Sequence, residues 1–89
     1  MKQYCGCIET VIEGVPKKNR PTVTMWVDEV GYRQIYKGSV LVLSTHNWEE
    51  WETAVREEIA QARKIAEGYE QFLGCKASVE ISGAIAHIG

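Results

Sequence analysis

At 89 residues, with 45% hydrophobic and 25% charged side chains, the chain has the balance of a single folded domain and not of a disordered segment. A core of this size only just offsets the backbone entropy lost on ordering, so residues 1–89 are expected to form one domain that gains from burial against a partner. The formal net charge of −2 disfavours nucleic acid as a partner, and no stretch approaches the roughly 18 apolar residues of a membrane span.

The first strand is expected from Tyr4 to Glu13, a stretch rich in β-branched types, with Ile8 and Ile12 on one face and Cys5, Cys7 and Val11 on the other. Gly14 to Pro21 follows, holding Lys17, Lys18 and Arg20 between two prolines, and reads as a basic hairpin loop. Thr22 to Glu29 alternates cleanly. Val23, Met25 and Val27 make its core face, and Thr22, Thr24, Trp26 and Asp28 point the other way. After a turn at Val30 and Gly31, a third strand is expected from about Tyr32 to Ser44. Gly38-Ser39 is read as a bulge within it, and apolar residues occupy both parities.

Asn47 with Glu50 three residues later has capping-box spacing and predicts a helix start. Trp48, Trp51, Val55, Ile59, Ala62, Ala66, Tyr69 and Leu73 then recur at intervals of three and four along one stripe of about seven turns. Gly74 is placed to end the helix in a left-handed conformation. A last strand is expected over Ala77 to Ser82, before an apolar tail from Ala84 that can pair or pack. The expected fold is α+β: a two-layer β-β-β-α-β arrangement, with an antiparallel meander, one long amphipathic helix on one face and a C-terminal strand.

A lone helix covers one face of such a sheet and leaves the other to be dried by something else. On these parities Trp26, Tyr32 and Tyr36 supply contact area there, with Arg33 and Lys37 beside them for polarity and orientation. The first functional expectation is therefore a non-enzymatic, homo-oligomeric binding module acting by occupancy. It would inhibit or adapt a larger protein or sequester a small ligand, with the uncovered face or the apolar tail buried against another copy. The second is a nucleotide or nucleic-acid binder, in which Lys17, Lys18 and Arg20 contact an anion.

A third reading, a thiol or zinc enzyme, rests on Cys5, Cys7 and Cys75 with His46 and His87. An odd number of cysteines closes no disulfide framework, and neither histidine forms the close pair usual in zinc signatures. Small buried thiols are expected, with no metal and no cofactor. A cytosolic location is expected too, since Met1 to Cys5 lacks the apolar run of a signal peptide.

In element order alone, Thr22 to Leu73 is similar to the later part of a double-stranded-RNA-binding domain. That family meets phosphate with a basic helix start, whereas this helix opens Trp48-Glu49-Glu50-Trp51-Glu52. The same order opens a ribonuclease H-like fold, without a matching set of acidic metal ligands here. No family is assigned on this basis.

Overall fold

Alternating side chains and short turns fold the first half of the chain into a meander, and one capped helix returns across it. The computed structural model describes residues 1–88. Its elements are β1 (Gln3–Ile12), β2 (Thr22–Val27), β3 (Arg33–Lys37), β4 (Val40–Thr45), α1 (Trp48–Leu73) and β5 (Ala77–Gly83), with 3-10 turns at Lys17–Asn19 and Ala84–His87. The five strands form one antiparallel sheet in the order β4-β3-β2-β1-β5, and α1 packs on one face. The fold is α+β with two layers.

The segment expected as one third strand is two. Gly38, at φ 60°, is the first of two residues that turn the chain between β3 and β4. Glycine at that position suits a tight two-residue hairpin, so Gly38-Ser39 is a reversal and not a bulge. The actual bulges lie elsewhere. In β1 the register with β2 shifts between Tyr4 and Gly6, and in β4 the register with β3 shifts opposite the Ile35–Tyr36 step, where Val42 is the extra residue.

The helix ends form as expected. Asn47 Oδ1 accepts a hydrogen bond from the Glu50 amide at 3.0 Å, and Gly74 closes the other end at φ 65°. A side-chain cap of this kind stabilises a helix by about 1 kcal/mol. Trp51, Val55, Ile59, Ala62 and Ala66 make the buried stripe. The first four of these meet Ile8, Met25 and Ile35 from the sheet. At 26 residues α1 is about 39 Å long, whereas the five-stranded sheet is about 19 Å across. Its ends are accordingly less covered, and Trp48, Phe72 and Leu73 are exposed.

The apolar tail belongs to this same core. Gly83, at φ 82°, turns the chain out of β5 into the 3-10 turn, which brings Ile85 to 0% exposure within the helix-side cluster. Gly83 pairs with Gly6 across the β1–β5 ladder. A Cβ on Gly83 would lie 2.5 Å from the Gly6 Cα, and one on Gly6 would lie 2.5 Å from both the Ile85 Cγ1 and the Ser82 carbonyl oxygen. Two glycines thus permit the close approach through which the tail fills its own core. The expectation of a tail buried against another copy is corrected for Ile85, which lies in the chain's own core.

Candidate functional site

On the face away from α1, the strand registers align side chains in rows. One row runs Leu41, Tyr36, Thr24, Cys7 and Ser82 across the whole sheet; the next runs Ser44, Gln34, Trp26 and Tyr4. Leu41 and Tyr36 stand at the β4 end of the first row, whereas Trp26 and Tyr4 stand on β2 and β1 in the second, beyond the polar Ser44 and Gln34. Tyr4 meets Trp26 edge to face, with ring centroids 5.4 Å apart and planes at 73°. The Lys2 ammonium lies 4.5 Å from the centroid of the Tyr36 ring and donates to its hydroxyl, which in turn donates to Gln34 Oε1 at 3.3 Å. Toward β5 the same face turns polar, through Thr22, Glu9 and Glu80. The uncovered face is therefore apolar in patches, at Leu41 and Tyr36 and at Trp26 and Tyr4, and polar elsewhere through Thr22, Glu9 and Glu80.

The five expected contact residues do not share this surface. Trp26 and Tyr36 lie on it, and Tyr32, one residue before β3 with the parity of Tyr36, packs on His46 at the end of the sheet, with ring centroids 3.8 Å apart. Arg33 and Lys37 have the parity of Ile35 and stand on the helix side. The Arg33 guanidinium lies 3.5 Å above the Trp48 ring and 5.2 Å from that of Trp51, while Lys37 Nζ reaches Glu58 Oε1 at 3.1 Å. These cations cover the flanks of the helix and give no polarity to the aromatic face.

Two contributors to the face had escaped the sequence pattern. Tyr4 has the parity of Ile8 if β1 is counted as regular, and the bulge after it reverses that assignment. A glycine inside a strand, here Gly6 at φ 151°, was the available signal. Leu41 joins the face for the same reason, because the extra residue Val42 separates it from Leu43, which packs on the helix-side core.

The basic loop is divided as well. Lys17 and Lys18 sit in the 3-10 turn, whereas Arg20 Nη1 reaches Glu9 Oε1 at 3.3 Å. Lys18 and Arg20 also line a cavity of about 410 Å³ between α1 and the sheet, together with Lys37 from the far end of β3.

Cys5 and Cys7 both lie on β1. The bulge separates Cys5, which packs on the helix-side core, from Cys7, which lies on the uncovered face, so they do not share one side of the strand. Burial pushes both thiols above their ordinary range. The Arg33 cation offsets this in part at Cys5, and the Glu9 carboxylate adds to it at Cys7, where a backbone hydrogen bond with Val23 opposes it. Among the described residues no three His, Cys, Asp or Glu side chains are grouped to hold a metal ion, and no helix is long and apolar enough to cross a membrane. Compared with protein-family models, curated proteins and solved structures, the chain gives no match.

Proposed function

We propose that this chain is a non-enzymatic binding module that acts by occupancy and pairs with a second copy through β4, with Leu41 and Tyr36 of the uncovered face at the seam. The observation that carries the reading is the edge itself. β4 is bonded on one side only, by β3, and its sequence Val-Leu-Val-Leu-Ser-Thr contains no charge and no proline. Edge strands are ordinarily protected by such residues, because their unpaired amides and carbonyls are a template for another strand. Val40, Leu41 and Val42 are all exposed on it. The bulge at Val42 is its one protective irregularity.

A two-fold pairing of β4 with its copy would satisfy both sets of edge groups. It would also bring the two Leu41 and Tyr36 rows together as one broad apolar surface. Trp26 and Tyr4 then lie inward from the seam, where they are suited to hold a third, larger protein. The test is the mass in solution by light scattering over a range of concentrations. A dimer is expected, converted to monomer by Leu41→Lys or Val42→Lys with the far-ultraviolet circular dichroism unchanged. A strict monomer at the highest concentration would remove this reading.

A further inference from the structure

We infer that the cavity between α1 and the β1–β2 end of the sheet is a site for a small amphipathic anion: a monocarboxylate carrying an aliphatic chain. Its volume of about 410 Å³ lies within the range of small-molecule pockets, and it opens on the helix side, away from the aromatic face. Ile8 and Val23 form the sheet wall, and Ala62 and Ile65 form the helix wall. Ala62, a small side chain in contact with the sheet-side cluster, lines the slot and takes up little of its volume. Ile65, although it lines the opening, is 44% exposed. None of the lining side chains is aromatic, so the walls offer an aliphatic chain contact area but offer a nucleobase no ring to stack on.

The charges on the rim select the head group. Three cations, Lys18, Arg20 and Lys37, line the cavity with a single acid, Glu58. Arg20 is paired with Glu9, and Lys37 is held by Glu58 and by Gln61 Oε1, each at 3.1 Å. Lys18 has no ion-pair partner among the described residues. One unmatched positive charge beside the Asn19 amide, at the mouth of an aliphatic slot, complements one negative charge on an aliphatic body. A phosphate dianion would leave an excess of charge there.

The experiment titrates the protein with octanoate, octanol and octylamine, following ¹H–¹⁵N chemical shifts. Octanoate is expected to bind saturably and about tenfold more tightly than octanol, with the largest shifts at Lys18, Asn19, Ala62 and Ile65, and octylamine is expected to bind most weakly. Lys18→Gln should lower octanoate affinity to that of octanol and leave octanol itself unchanged. Ala62→Leu should block both by filling the slot. Should that variant fail to fold, Ile65→Asp at the exposed lip should weaken octanoate more than octanol. Equal binding of octanoate and octanol, shifts centred on Trp26 and Tyr36, or no saturable binding would each overturn the assignment. None of these outcomes depends on whether β4 pairs with a second copy.

Discussion

Along β2, Val23, Met25 and Val27 stand toward α1, while Thr22, Thr24 and Trp26 stand away from it. The two sets come from the same six residues and meet different fates. Met25 is 0% exposed among Ile8, Ile35, Val55 and Ile85, whereas Trp26 remains half-buried beside Tyr4 and Gln34. On the covered face, buried residues follow one another along α1 from Trp51 to Ala66. On the other the large side chains are few, Leu41 and Tyr36 beside the exposed β4 edge and the Trp26–Tyr4 pair further in. Stability thus resides in one layer. The second carries apolar surface beyond what that layer uses, and this difference separates residues needed for folding from residues available for contact.

The comparison breaks most severely if a charge is placed in the covered layer. Val55, at 0% exposure, becomes an unpaired buried carboxylate in Val55→Asp, and a loss of about 4 kcal/mol or more is expected, leaving no cooperative thermal transition. Gly6→Ala tests the tail's place in that layer. Its Cβ would fall 2.5 Å from Ile85 Cγ1 and from the Ser82 carbonyl oxygen at a φ of 151°, and about 2–3 kcal/mol should be lost in urea denaturation. A neutral Gly6→Ala would show that Ile85 does not pack against β1.

Trp26→Ala belongs to the second layer. It should cost the folded chain about 1–2 kcal/mol, mostly the Tyr4 contact, and leave self-association measured by sedimentation unchanged, because Trp26 lies inward from the β4 seam. Unfolding instead would assign Trp26 to the core. The smallest effect is alkaline. Because the folded chain holds the Cys7 proton above the ordinary thiol value of 9.0, its contribution to stability is whole below that pH. It then falls as pH rises through 9.0 toward the raised value, since the unfolded chain loses the proton first. Cys7→Ala should flatten this slope in pH-dependent melts relative to the unaltered chain.

Much of this architecture was legible in the residues. The Asn47 cap, the Gly74 stop and the stripe through Val55 and Ala62 are local signals, and each operates as read. The alternation of β2 was equally plain. What escaped depended on pairing. From Tyr32 to Ser44 the composition suits a strand throughout, and only the pairing of Lys37 with Val40 shows that the chain reverses there. A bulge moves every side chain beyond it to the other face, so Tyr4 and Leu41 were misplaced by one residue each. Arg33 and Lys37 had the right parity for the helix side, but their charge suggested an exposed binding role. Their long stems let them lie along α1 with the charged ends on Trp48 and Glu58.

The ladder between Ile8 and Ile81 joins segments separated by nearly the whole fold. The hairpins and α1 can nucleate from neighbours close in sequence, but β1 acquires its second flank only after the helix has brought β5 back to it. Ring closure of that span carries the largest entropic barrier in the molecule, so the rate-limiting collapse is expected to be the docking of β5, with the meander already formed.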